Sequence, residues 1–203
     1  MFISFEGIDF CGKTTQINLL EKYLKDKKIE VEVIREPGGT EISEKIRSLL
    51  LDKNNSGMVM ETEFLLFSSS RAQLVREKIQ PYLAKGIYVI SDRFHDSSTA
   101  YQGYGRGISV EIVENINKLA IGNTVPELTF LMDIPVEIAN ERRLAKNPDQ
   151  LDRIEKSNID FYNRVRDGYH ILAKKEKRFR VLDGTKQIDE IYKSIIEEIE
   201  KFG

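Results

Sequence analysis

The sequence predicts an α/β fold, a five-stranded parallel sheet flanked by helices with a short lid, and three observations carry that expectation. Five apolar runs of strand length recur along the chain, helical apolar periodicities separate most of them, and a glycine-rich turn ending in Lys-Thr follows the first run. The runs are Met1–Phe5, Glu30–Ile34, Ile87–Ser91, Leu128–Met132 and Phe179–Leu182. Four are nearly uninterrupted, as suits strands buried on both faces, whereas Glu30–Ile34 alternates Glu with Val and Ile. Between them, Ile17, Leu20 and Leu24 recur at helical spacing, as do Ile42, Ile46, Leu49 and Leu50. A helical pattern then runs from Phe64 to Lys85, another through Ile112, Ile116 and Leu119, and a last one through Ile188, Ile191, Ile195 and Ile199. Strand alternating with helix implies parallel pairing through right-handed crossovers.

The chain has 203 residues, enough for one domain with a sizeable core, so residues 1–203 are expected to form a single domain. Lys and Arg number 31 against 33 Asp and Glu, a formal charge of -2, so no global field draws the molecule to nucleic acid or an anionic membrane. Any polyanion must be met by a few local charges. Cys11 is the sole cysteine and the only histidines are His95 and His170, which argues against disulfides and a His-rich metal cluster. With neither a signal-peptide pattern nor a membrane-spanning run, the expectation is a cytoplasmic protein.

Gly7-Ile8-Asp9-Phe10-Cys11-Gly12-Lys13-Thr14 satisfies GxxxxGK[ST], directly after a buried strand and opening a helix, the setting of a phosphate-binding loop of the P-loop NTPase class. The glycines let backbone N–H groups turn inward toward phosphate oxygens, and the helix N-terminus adds partial positive charge. Lys13 is expected to reach the terminal phosphates and Thr14 to offer a hydroxyl to Mg²⁺, with Thr15 continuing the loop onto ATP. Cys11 is read as contributing its backbone, not a reactive thiol. A guanine-nucleotide switch would carry an NKxD motif, but the nearest string is Asn117-Lys118-Leu119-Ala120. An enzyme with an anionic acceptor needs a second cationic cluster instead. Arg35-Glu36-Pro37-Gly38-Gly39-Thr40, Arg47, Arg71 and Asp92-Arg93-Phe94 supply one, and the strand-end members should converge on the carboxyl edge of the sheet. These charges predict a strongly cationic pocket.

The blocks GIDFCGKTT, REPGGTEISEKIRSLLL, SDRFHDSSTAYQGYGRG and LDRIEKSNIDFYNRVRDGY, with Phe67-Ser68-Ser69-Ser70-Arg71 between the second and third, resemble those of bacterial thymidylate (dTMP) kinases, and the similarity runs from Met1 to about Gly184. The resemblance implies a homodimeric enzyme that makes dTDP and ADP from dTMP and ATP with Mg²⁺. It implies that Phe67 stacks on thymine, Arg71 donates to its exocyclic oxygen, and Ser98 and Gln102 read its remaining polar edge. Phe67 and Tyr101 each have a plainer alternative role in core packing. By the same resemblance Asp9 binds the 3′-hydroxyl, Tyr101 crowds the 2′ position, Glu36 and Pro37 border the acceptor, and Arg47 and Arg93 clamp its phosphate. Asp92 acts on the Mg²⁺ shell or the hydroxyl network around it.

A phosphate monoester has a second pKa near 6, so the acceptor arrives ionised and no residue is expected to act as a general base. The difficulty is electrostatic, and a lid over about residues 140–153 is expected to add charge while excluding water. In the family the assisting arginine comes from the phosphate loop or from the lid. Phe10 stands at the loop position and has no charge, so the lid must supply it, with Arg153 ahead of Arg143. Arg142 is expected to stack on adenine, and Thr185, after the last strand, to border it. Three rivals remain: another nucleoside monophosphate kinase, a deoxynucleoside kinase needing a base at the 5′-hydroxyl, and a non-enzymatic ATP-binding module.

Overall fold

In a computed structural model, residues 1–145 and 151–202 are described. The strands are β1 (Phe2–Glu6), β2 (Val31–Arg35), β3 (Tyr88–Asp92), β4 (Leu128–Asp133) and β5 (Phe179–Asp183), all parallel, in the order β2-β3-β1-β4-β5. The order places β1, and the loop that follows it, in the centre of the sheet. Phe5 pairs with Asp92, Arg35 with Asp92 and Asp133 with Asp183, so the strands end nearly level at one edge.

The α-helices are α1 (Lys13–Asp26), α2 (Glu41–Leu51), α3 (Met60–Leu74), α4 (Gln80–Ala84), α5 (His95–Ser98), α6 (Val110–Ile121), α7 (Val136–Leu144), α8 (Ile159–Lys175) and α9 (Ile188–Glu200). α3 and α4 are joined without a break by a π-helical turn, Val75–Ile79, and α5 continues as a second, Thr99–Gly105. The periodic residues explain the packing: Ile17, Leu20 and Leu24 of α1, and Ile191, Ile195 and Ile199 of α9, join Ile3, Phe5, Ile90 and Phe130 of the sheet in one apolar cluster. Phe2, Ile34 and Val89 join Leu74, Val75, Ile79 and Phe94 in a second. Burying side chains of this size stabilises the fold by roughly 2 kcal/mol each.

Two expectations need correction. β5 is an edge strand, not one buried on both faces, and its Val181 is 51% exposed. The α2 stripe is only partly a core stripe: Leu50 is buried, whereas Ile42 and Leu49 are about half exposed. Asn147-Pro148 and most of the expected lid tip lie outside the described residues.

Candidate active site

The loop after β1 wraps the N-terminus of α1. Gly7 has φ +134°, and a Cβ there would lie 2.5 Å from the Met132 carbonyl oxygen, so no side chain fits. Gly12 has φ +99° and caps the helix. Phe10, at φ 64°, and Arg93, at φ 71°, hold left-handed backbone without being glycine, a cost of order 1–2 kcal/mol each that the surrounding bonds must offset. Lys13 is buried and its ammonium donates to the carbonyls of Gly7 (3.4 Å) and Ile8 (3.1 Å) and to Cys11 Sγ (3.6 Å). Thr14 and Thr15 are exposed, and Thr14 Oγ1 donates to Asp92 Oδ2 at 3.3 Å, so the loop hydroxyl and the β3 carboxylate meet.

Beside the loop, at the carboxyl edge, lies a cavity of about 200 Å³. Asp9, Glu36, Pro37, Arg47, Phe67, Arg71, Asp92, Arg93, Ser98, Tyr101 and Gln102 all line it, so residues scattered over nearly a hundred positions share one space. Arg93 ties its wall to the loop: it donates to Gly7 O (2.7 Å), Asp9 Oδ1 (2.5 Å), Tyr101 OH (3.1 Å), Ser97 Oγ (3.3 Å) and Tyr169 OH (3.3 Å). Burial pushes the Asp9 carboxyl up, but Arg93 and Lys13 outweigh it and hold the group below the usual range. Tyr101 OH and Tyr162 OH each donate to Asp9 Oδ2 at 3.0 Å.

At the other end Arg71 is 1% exposed. Its Nε donates to Glu36 Oε2 at 2.7 Å, and Nη1 to Ser98 Oγ (3.0 Å) and Asn117 Oδ1 (2.9 Å). Burial raises Glu36 to about 7 against the opposing pull of Arg71. Arg47 Nη1 donates to the Pro37 carbonyl at 2.7 Å. Phe67 is half-buried with its ring at the cavity wall, so it serves both packing and lining. Tyr101 is buried, but its hydroxyl enters the Asp9–Arg93 network.

One expectation about charge is overturned, and the two expected lid arginines are held by partners away from the phosphate loop. The cavity is not strongly cationic: Arg35, Arg47, Arg71 and Arg93 are matched by Asp9, Glu36, Asp92, Asp152 and Glu155. Nor does Arg153 extend toward the phosphate loop. It pairs with the buried Glu63 at 2.7 Å and donates to the Leu50 carbonyl at 3.0 Å, because a buried carboxylate is a stronger partner than solvent. Arg143 donates to Asn140 Oδ1 (2.7 Å) and to the carbonyls of Glu155 (2.9 Å) and Ser157 (3.2 Å). Arg142 does meet the loop, donating to the carbonyls of Phe10 (3.0 Å) and Gly184 (3.4 Å), next to Thr185, whose hydroxyl is held by Asp183 at 2.6 Å.

Four residues not singled out from the sequence belong to this network: Glu6, Ser97, Tyr162 and Tyr169. Tyr162 and Tyr169 sit in the DFYNRVRDGY block at i and i+7, a helical spacing that places both on one face of α8, and that spacing is the available signal. Glu6 is fully buried under the loop and accepts from Phe94 N (2.7 Å), Ser97 Oγ (2.6 Å) and Tyr169 OH (2.9 Å). Burial, then the nearby Asp96, raises its pKa from the ordinary 4.5 to about 7. Because the unfolded chain releases this proton first, the group's contribution is lost as pH rises from 4.5 to about 7, by at most about 3 kcal/mol. Glu6→Gln should flatten that loss, so urea unfolding from pH 5 to 8 should show wild type and variant diverging; parallel profiles would refute the assignment.

Against known proteins, the family model described as thymidylate kinase matches residues 5–195. A thymidylate kinase of Thermosipho africanus is 51% identical over 201 residues, spanning 99% of this chain and 98% of the relative. One from Kosmotoga olearia is 48% identical over 199 residues, spanning 98% of this chain and 94% of the relative. The crystal structure of thymidylate kinase from Ehrlichia chaffeensis superposes with a TM-score of 0.79 at 35% identity, covering 98% of each chain.

Proposed function

The chain belongs to the thymidylate kinase family, and from that premise we propose that it transfers the γ-phosphoryl group of ATP, with Mg²⁺, in line onto the phosphate of dTMP, giving dTDP and ADP. The observation that carries this reading is a single cavity holding a half-buried aromatic ring, Phe67, a base-side arginine, Arg71, and two further arginines, Arg47 and Arg93, with Arg93 bonded to the phosphate loop itself.

In this reading the thymine ring lies on Phe67 with Arg71 at its exocyclic oxygen. Asp9 and Tyr101 meet the sugar, and Arg47 and Arg93 hold the acceptor phosphate in the path of the γ-phosphorus. The acceptor oxygen is already ionised near neutrality, so the chain supplies position and positive charge in place of a base. Lys13 leaves the loop carbonyls for the β- and γ-phosphates, and Arg142, at the loop and Gly184, borders the donor's adenine end. Thr14 and Asp92 present a hydroxyl and a carboxylate side by side, hard oxygen donors that would hold Mg²⁺ directly or through its water shell. When bound, the ion neutralises charge on the phosphates. Lid arginine assistance requires Arg143 or Arg153 to exchange its present partners on closure.

ADP release from Mg-ATP across dTMP, dUMP, other monophosphates and thymidine tests the reading. Activity with dTMP no greater than without acceptor overturns it, and turnover with thymidine alone favours a nucleoside kinase. Tight ATP binding with no acceptor-dependent ADP favours a binding module.

A homodimer is part of the proposal. Ile42 and Leu49 of α2, Leu65 of α3 and Ile112 and Leu119 of α6 are each at least half exposed, on helices that pack α2 against α3 and α3 against α6. Light scattering should give twice the 23.4 kDa chain mass, and Leu65→Asp should shift it toward the monomer; a wild-type monomer at micromolar concentration would refute it. No helix among the described residues is long and apolar enough to cross a membrane. The free Cys11 fits a reducing, cytoplasmic setting.

A further inference from the structure

Gln102 lies on the second π-helical turn and lines the cavity, 2% exposed. Its Nε2 donates to Glu63 Oε1 at 2.9 Å, whereas its Oε1 accepts from none of the described residues. A primary amide has one accepting and one donating end, and the end it turns to a ligand decides what it reads. A carboxylate can only accept, so it fixes which end it takes. Glu63 does not line the cavity; it stands behind Gln102 at the start of α3 with its side chain 2% exposed.

Keeping that buried group ionised takes two cations from distant segments. Arg106 donates through Nε to Oε1 and through Nη2 to Oε2, both at 3.2 Å, and Arg153 pairs with Oε2 at 2.7 Å. Arg106 is itself held over the Phe161 ring at 4.5 Å. Burial alone raises the Glu63 pKa, but the Gln102 and arginine contacts outweigh it and bring it below the usual range. Both of its oxygens are therefore acceptors facing donors, with no protonated form to blur the geometry.

We propose that Glu63 is a positioning residue for base selection: by capturing Nε2 it turns the Gln102 oxygen to the ligand, so that the site demands a base carrying a ring N–H at that point. The proposal rests on the dTMP reading above. Thymine offers N3–H between two carbonyls; the cytosine ring offers an unprotonated N3 there, which would face the Gln102 oxygen lone pair to lone pair. An amide free to flip would serve either ring.

Kinetics of the wild type, Glu63→Gln and Glu63→Gln/Gln102→Glu with dTMP and 5-methyl-dCMP test this, the two acceptors sharing methyl, sugar and phosphate. Glu63→Gln should raise KM for dTMP about tenfold with kcat within about threefold, and lower the dTMP to 5-methyl-dCMP ratio of kcat/KM about tenfold. The double variant should restore that ratio, because a carboxylate at 102 presents an oxygen whichever way it turns and the amide introduced at position 63 can still donate to it. A merely structural role for Glu63 would not be repaired by moving the charge. An unchanged ratio in Glu63→Gln, or a fall that the double variant leaves unrepaired, overturns the inference. A wild type inactive with dTMP overturns the proposed function instead, and is read separately.

Discussion

Lys13→Ala should lower kcat by about a thousandfold while leaving the dissociation constant for dTMP within about threefold. The side chain is 7% exposed and rests on the carbonyls of Gly7 and Ile8, inside the loop, and it does not line the acceptor cavity. In the proposed reaction it would meet charge that develops on the transferred group and would not hold the acceptor. An interaction made in the transition state and weakly in the ground state appears in kcat. Single-turnover rates with Mg-ATP, beside calorimetric titration of dTMP, separate the two quantities. A variant retaining more than a tenth of wild-type kcat would contradict this placement.

Arg93→Ala should be more damaging because it removes two things together. Five partners converge on the guanidinium, among them Gly7 O, Asp9 and Tyr101 OH, so its loss should loosen the loop as well as remove the proposed acceptor clamp. We expect kcat/KM for dTMP to fall at least a thousandfold, and stability to fall by roughly 2 kcal/mol because the half-buried Asp9 carboxylate loses its ion-pair partner and keeps only the more distant Lys13. Adding Asp9→Asn should recover part of the stability and none of the activity, since the uncompensated charge is gone but the clamp is not restored. Urea unfolding of the single and double variants checks this; equal stabilities would show that the ion pair is not what Arg93 contributes.

Much of the fold is legible in the sequence because each strand and helix has an apolar period. Strand ends come out short for a physical reason. Glu6, Arg35, Asp92, Asp133 and Asp183 close the five strands, so the ladder runs on into a charged residue where an apolar pattern stops. Those five ionisable residues sit at the sheet edge that bears the site. The exposed flank of β5 is not legible, since edge position depends on strand order and not on the run itself. The π-helical turns are set by backbone hydrogen bonding, which leaves no apolar signature. Within the site, residues in contiguous motifs can be found, from Gly7 to Thr14 and, apart from Ser97, from Asp92 to Gln102. Glu6, Glu63 and Asn117 cannot, because each is defined by a partner 39 or more positions away: Glu6 by Phe94 and Tyr169, Glu63 by Gln102 and Arg153, Asn117 by Arg71. Arg153 looks like a free lid cation in the sequence for the same reason, as its neighbours along the chain say nothing of Glu63.

The matched charges of the cavity proposed to take the acceptor bear on how anions arrive there. Four arginines facing five carboxylates cast little field beyond a Debye length, about 8 Å at physiological salt, so capture of a nucleotide depends on short-range fit and not on attraction from afar. Added salt should therefore alter the association rate of dTMP only slightly, and inorganic phosphate or sulfate, lacking a base to anchor, should compete poorly for the site.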